Sequence, residues 1–169
     1  MTGTDCHRIS GGIFMEIERK YLLRQIPEDL DRFPHSRIEQ AYLCTAPVVR
    51  VRQDGDSFYL TYKSSGMMAR EEYNLPLTAD SYAHLLEKAD GLIITKVRFR
   101  IPLPGGLTAE LDRFEGALSG LVMAEVEFPD ESAANSFCAP DWFGTDVTFD
   151  PRYHNSRMSR GLLPPEAKG

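Results

Sequence analysis

Met15-Glu16-Ile17-Glu18-Arg19-Lys20-Tyr21-Leu22-Leu23 is the stretch on which the fold reading turns. Side chains alternate across a β-strand, so Glu16, Glu18 and Lys20 leave on one face, and Ile17, Arg19 and Tyr21 on the other. Two carboxylates and an ammonium on one face need water, a metal or a charged ligand, because burying them unpaired is costly. A single Glu-x-Glu is ordinarily a solvated edge. Repetition along the chain changes that reading.

Working outward, Pro27–Pro34 reads as a loop and Arg37–Cys44 as a strand. Val48–Gln53 sets Arg50 and Arg52 on one face, Asp54-Gly55 supplies a turn, and Ser57–Lys63 returns as the second arm of a hairpin. Ala69–Leu77 is extended and contains Arg70, Glu72 and Asn74. Thr78-Ala79-Asp80 opens a helix with Tyr82, Leu85, Leu86 and Ala89 on one face, stopped at Asp90-Gly91. Leu92–Leu103 predicts a long strand presenting Lys96, Arg98 and Arg100, and Pro104-Gly105-Gly106 a turn. Leu107–Phe114 carries Glu110 and Asp112, and Leu121–Phe128 carries Glu125 and Glu127. A short helix capped by Asp130 follows, Trp142–Thr148 has no decisive pattern, and Asp150-Pro151 opens a last helix, or helix-like tail, through Arg160. Residues 1–13 read as a flexible leader and 164–169 as a disordered tail, leaving one domain over 14–163.

The charged residues sit at i, i+2 around an apolar residue: Ile17, Val51, Val97, Leu111 and Val126. Five strands therefore present charge on one face and packable surface on the other. In a sandwich the charges would be solvated. Acid and base blocks segregated by strand fit a different, α+β arrangement: a sheet closed into a barrel with a polar interior and helices over its apolar outside. A barrel of about eight strands has room for one small ligand. Carboxylates bind a hard divalent cation, Lys and Arg bind phosphates, and opposite charges in one cavity relieve each other's desolvation.

Composition removes other classes. A net charge of −6 argues against a general nucleic-acid or anionic-membrane binder. Cys6, Cys44 and Cys138 are odd in number and far apart, which suggests free thiols in a reducing, cytoplasmic setting. No apolar run approaches a membrane span, and there is no P-loop or Gly-x-Ser-x-Gly elbow. His7, His35, His84 and His154 lack metal-ligand spacing, and Trp142 reads as a core or lid residue.

Glu-x-Glu-x-Lys, Arg-x-Arg, a separate Lys63, Lys-x-Arg, Glu-x-Asp, Glu-x-Glu and the tail Asp150-Pro151-Arg152-Tyr153-His154-Asn155, in that order, resemble the CYTH superfamily, the triphosphate tunnel metalloenzymes. That family includes inorganic and thiamine triphosphatases and class IV adenylyl cyclases. The resemblance implies a closed eight-stranded antiparallel barrel, a small-molecule triphosphate substrate and Mg²⁺ or Mn²⁺. By the same resemblance Glu16, Glu18, Asp112, Glu125 and Glu127 are expected metal ligands, with Glu110 beside them. Lys20, Arg50, Arg52, Lys63, Lys96 and Arg98 are expected to hold phosphates. Glu16, Glu18, Lys20 and Glu127 are expected at the reaction, Glu72 at an acidic tunnel position, and the tail at one tunnel mouth. The expected activity is triphosphate hydrolysis. The alternatives are cyclisation of ATP to cyclic AMP and pyrophosphate, or a non-catalytic polyphosphate- or nucleotide-binding module. A homodimer is compatible with either.

Overall fold

The computed structural model describes residues 14–168; the expected leader lies outside them. Nine strands run in order: β1 (Phe14–Leu23), β2 (His35–Thr45), β3 (Val48–Asp54), β4 (Ser57–Lys63), β5 (Ala69–Pro76), β6 (Asp90–Pro102), β7 (Thr108–Phe114), β8 (Val122–Glu127) and β9 (Phe143–Asp146). The sheet order is β5-β4-β3-β2-β6-β7-β8-β1-β9, and a further β5–β1 pairing closes the first eight into an antiparallel barrel. Strand β1 performs the closure. Residues 14–17 pair with β5, whereas the edge beyond them is taken by β9 at Tyr21 and Leu23, so no long edge is left open. The undecided Trp142–Thr148 stretch thus holds a short ninth strand, formed because that edge needed covering.

Alternation puts charge inside and apolar groups outside. Ile17, Phe99, Leu111, Ala124 and Val126 point outward and are covered by α2 (Glu131–Ser136), whose Ala134 is fully buried. Ala41 and Val51 are covered by α1 (Ala79–Leu86) through Tyr82. Both of these helices start at a side-chain cap that satisfies otherwise orphaned N–H groups: Thr78 with Ser81 in α1, and Asp130 accepting from the Ala133 N–H at 2.7 Å in α2.

At one end of the barrel the inward residues turn apolar, and Tyr42, Val48, Ile94, Phe114 and Met123 meet Val147, Tyr153 and Met158 of the C-terminal segment. Of the expected last helix or helix-like tail, the structure holds the second, a broken helical segment. The segment is a 3-10 turn, Pro151–Tyr153, then extended His154, then α3 (Asn155–Met158). In a continuous helix, residues five apart lie about 140° apart around the axis. The break lets Tyr153 and Met158 enter the same apolar plug. Gly91 docks this segment: it has φ +74°, and a Cβ there would lie 2.2 Å from the Ser159 carbonyl.

The expected disordered tail is also different over 164–168. Pro164 is buried, the Lys168 N–H donates to the Ser119 carbonyl at 2.7 Å, and the Tyr153 hydroxyl donates to Glu166 at 3.1 Å. No helix among the described residues is long and apolar enough to cross a membrane.

Candidate active site

The barrel encloses a cavity of about 1460 Å³ that takes lining residues from all eight strands. Its inner end lies against the C-terminal segment, and its outer end is rimmed by Asp54, Asp56, Thr108 and Glu127. Strand register decides which charges meet. Glu18 stands opposite Glu127 and Lys20 opposite Glu125, while Glu110 also faces Glu125 from β7. Arg98 stands opposite Asp112, Lys63 opposite Glu72, and Glu16 opposite Arg70.

One wall is fully paired. The Arg98 guanidinium donates to both oxygens of Asp112 at 2.7 Å, to Glu125 at 2.8 Å and also to Glu110, while Lys96 donates to Asp112. Lys20 bridges Glu18 at 2.8 Å and Glu125 at 2.6 Å. Burial alone would raise Asp112 and Glu125, but Arg98 and Lys96 at Asp112, and Lys20 and Arg98 at Glu125, outweigh it, so Asp112 is held below its ordinary value and Glu125 well below its own. Lys96 itself is pulled down to about 8 by burial and by Arg98.

A second cluster lies on β1, β4 and β5. Lys63 donates to both oxygens of Glu16 at 2.6 Å and pairs with Glu72 at 2.9 Å, and Arg70 reaches Glu16 at 3.4 Å and Glu18 at 3.3 Å. Burial and the neighbouring Glu18 push Glu16 up to about 8 against Lys63. Glu18 goes the other way: burial is overcome by Lys20, Lys63 and Arg70, which hold it at about 2.

The β3 wall is different. Arg50 and Arg52 are buried, and neither has a carboxylate within salt-bridge distance among the described residues. Arg52 donates to the Gln40 Oε1 at 2.9 and 2.6 Å, and Arg50 donates to the Thr61 hydroxyl at 3.1 Å while its Nε has no partner. Across the cavity, Glu127 has no cation partner among the described residues, and partial burial with Glu110, Glu72 and Glu18 raises its carboxyl. Unbalanced cations and an unbalanced acid therefore share one cavity.

Comparison with known proteins assigns this architecture. The CYTH domain family model matches residues 15–156. The chain belongs to the CYTH family. An inorganic triphosphatase of Nitrosomonas europaea is 38% identical over 151 residues, covering 87% of this chain and 98% of the relative. One of Acetivibrio thermocellus is 44% identical over 115 residues, covering 65% of this chain and 70% of the relative. A crystal structure of an inorganic triphosphatase superposes with a TM-score of 0.66 at 35% identity, covering 88% of this chain and 97% of that one. A Pyrococcus horikoshii structure at 20% identity and TM-score 0.52 shares the fold.

Within this CYTH barrel, the inward-facing residues expected from sequence group unevenly. Glu16, Glu18, Lys20, Arg50, Arg52, Lys63, Arg98, Glu125 and Glu127 all line the cavity, together with Glu72 and Glu110. Lys96 and Asp112 lie behind the lining, 0% and 1% exposed, and pair with each other. Asp112 and Glu125 have both oxygens engaged by bases, unlike Glu127. Sequence reasoning missed Arg70, whose neighbours Glu71 and Glu72 break the i, i+2 basic signature. It also missed the neutral partners Gln40, Thr61 and Asn74, whereas the tail expected at one tunnel mouth does bring His154, Asn155 and Ser156 to the cavity floor. The register, which only the fold supplies, is the signal that finds the neutral partners.

Proposed function

We propose that this chain is a metal-dependent triphosphatase that cleaves inorganic triphosphate to phosphate and pyrophosphate. The observation that carries it is the imbalance across one cavity: Arg50 and Arg52 without carboxylates on β3, and Glu127 without a base on β8. Such a site is completed by a polyanion together with a cation. The names of the relatives favour hydrolysis over cyclisation.

The donor chemistry fits a hard divalent ion. Among the described residues no three acid, His or Cys side chains converge as a ready cage. Mg²⁺ does not require one, since it is usually held by one or two carboxylates together with substrate phosphates and waters. Glu18 and Glu127, register partners on adjacent strands, would hold Mg²⁺ or Mn²⁺, with Glu16 beside them. Glu125, expected in the same set, is better placed to fix Lys20 and Arg98, and Asp112 to fix Lys96 and Arg98. Bound there, the ion would neutralise phosphate charge and polarise the phosphoanhydride.

The chain's own residues supply positioning and electrostatics, which phosphoryl transfer mainly needs. Arg50, Arg52 and Arg98 form charge-assisted hydrogen bonds to the phosphates, and Lys20 and Lys63 set the inner charge. A carboxylate of the Glu16–Glu18 pair orients the attacking water, and the new P–O bond forms as the bond to the bridging oxygen breaks. Pyrophosphate leaves, and no protein nucleophile takes part.

The test is an assay of triphosphate, thiamine triphosphate and ATP with Mg²⁺ or Mn²⁺, reading phosphate, pyrophosphate and cyclic AMP. Equimolar phosphate and pyrophosphate from triphosphate are expected, with no cyclic AMP. Glu127→Gln should lower turnover by orders of magnitude while leaving the ligand-free melting temperature unchanged or slightly higher. Cyclic AMP as the main product, or near-normal turnover in Glu127→Gln, would sink the proposal.

A further inference from the structure

Arg52 and Arg98 are held along the same edge of the guanidinium by the residue directly opposite on the neighbouring strand. Arg98 stands opposite Asp112 and donates Nε and Nη2 to its two oxygens, each at 2.7 Å. Arg52 stands opposite Gln40 and donates Nε and Nη2 to the single oxygen Oε1, at 2.9 and 2.6 Å. Both acceptors lie behind the cavity lining, Asp112 at 1% exposure and Gln40 at 0%. The geometry is shared and the charge is not: a carboxylate holds one fork and an amide the other.

The amide has only one orientation that works. A guanidinium offers donors alone, so the Gln40 atom facing it must be the oxygen. That turns the Gln40 NH₂ group toward the Tyr42 hydroxyl, at 3.4 Å. Tyr42 lines the cavity, so Gln40 ties two lining side chains together from behind. The other side of the fork repeats the contrast. The Arg52 Nη1 meets the Tyr59 hydroxyl at 3.4 Å, where the Arg98 Nη1 meets the Glu110 carboxylate.

A carboxylate that holds a buried arginine fixes it and offsets its charge, whereas an amide fixes it and leaves the charge for a ligand. A long side chain loses rotamer freedom when it is placed, and a fork already locked from behind has less to lose on binding. Arg52 is also the last cation of its wall, since the next inward residue of β3 toward the mouth is Asp54.

We infer that Gln40 is a positioning residue for triphosphate binding, which presents the Arg52 guanidinium in a fixed orientation with its positive charge uncompensated. The inference rests on the triphosphate reading of the cavity and adds how one of its cations is kept both ordered and free.

The experiment separates charge from placement. Triphosphate affinity is measured by calorimetry in EDTA at several ionic strengths, beside KM and kcat with Mg²⁺. The proteins are the wild type, Gln40→Glu, Gln40→Met, Arg52→Ala and the double variant of Gln40→Met with Arg52→Ala. Gln40→Glu keeps the fork and supplies the missing carboxylate, which converts the Arg52 site to the Arg98 arrangement. Affinity should fall at least about tenfold, as for one charge-assisted hydrogen bond lost. Its dependence on ionic strength should weaken, because the site loses one net positive charge. KM should rise, kcat should change less, and the ligand-free melting temperature should stay level or rise. Gln40→Met keeps the charge and nearly the volume but removes the acceptor, so affinity should fall about three- to tenfold with the salt dependence of the wild type. Because Gln40 acts through Arg52, the double variant should bind triphosphate no more weakly than Arg52→Ala alone. Should Gln40→Glu fold poorly, this cycle carries the test. Wild-type affinity in Gln40→Glu, or additive losses in the double variant, would overturn the inference, and a loss of binding in Arg52→Ala would then leave the triphosphate reading standing. A lowered melting temperature with unchanged affinity in Gln40→Met would likewise overturn it, by making Gln40 structural. No triphosphate binding by the wild type would remove the reading of the cavity and the inference with it.

Discussion

Strands β3 and β6 carry the same signature, basic residues two apart on the inward face, and end in opposite electrostatic states. On β6, Lys96 and Arg98 are clamped by Asp112, Glu110 and Glu125 from the next two strands. On β3, the hydrogen-bond partners of Arg50 and Arg52 among the described residues are all neutral: Thr61, Gln40 and Tyr59. The difference comes from which strands flank them: β6 lies beside acidic β7, whereas β3 lies between β2 and β4, which oppose it with Gln40 and Tyr59. A paired wall holds the barrel in shape, and an unpaired wall is left to bind.

The contrast breaks most visibly at Asp112. Removing one partner of a buried ion pair strands the other charge, at a cost of roughly 3–5 kcal/mol. Asp112→Ala leaves Lys96 at 0% exposure and half of the Arg98 fork without a counter-charge. Urea denaturation of the ligand-free variant should show that loss, and a stability within about 1 kcal/mol of wild type would mean the β6 wall is not held by its pairs.

The β3 wall should respond differently. Arg52→Ala strands no charge but leaves the buried Gln40 Oε1 without its donor, so ligand-free stability should fall by less than in Asp112→Ala, while triphosphate affinity drops by roughly 1.5–3 kcal/mol, the worth of a charge-assisted hydrogen bond. Arg98→Ala should lose both stability and affinity, because its guanidinium also fixes Asp112 and Glu125. Equal melting temperatures for the two variants would erase the distinction between the walls.

How much of this was legible follows from the same comparison. The period-2 pattern placed β1, the β3–β4 hairpin and the inward charge because alternation is local. Which bases are paired depends on register across strands far apart in sequence, such as Arg98 with Glu125, and no local pattern carries it. Arg70 was hidden by Glu71 and Glu72 beside it, although the fold sets it opposite Glu16. The broken C-terminal helix was illegible because its break serves the plug, to which Tyr153 and Met158 both contribute.

The mixed cluster on β1 and β5 offers a pH test between these extremes. Glu16 is raised to about 8 by burial and by Glu18. A carboxyl raised above its unfolded value binds more protons in the folded state, so its contribution to stability is full below about pH 4.5 and declines as pH rises through about 8. Glu18, held at about 2, acts only in acid, where its contribution is lost as pH falls. The ligand-free melting temperature in EDTA should therefore fall gently from pH 5 to 8.5, and Glu16→Gln should flatten that slope. A slope that survives the substitution would assign it to another group.

The smallest effect is expected at the rim. Arg100 continues the inward row of β6, yet it lies 29% exposed by side chain, pairs with Asp54 at 3.2 Å and donates to the Ser36 hydroxyl at 3.0 Å. The pair is partly buried, with Asp54 at 12% side-chain exposure, but it opens on the barrel mouth, where water and salt screen it and keep its contribution near the upper end of the range for surface pairs, about 1 kcal/mol. Arg100→Gln should change stability by at most about 1 kcal/mol, and it should also release Asp54 from its partner. That adds net negative charge where a polyanion enters, so KM should rise no more than about threefold, with the increase fading as ionic strength screens the mouth. A loss as large as that of Arg52→Ala, persisting at high salt, would show that the phosphate-binding wall extends to the rim and that the boundary drawn at Asp54 is misplaced.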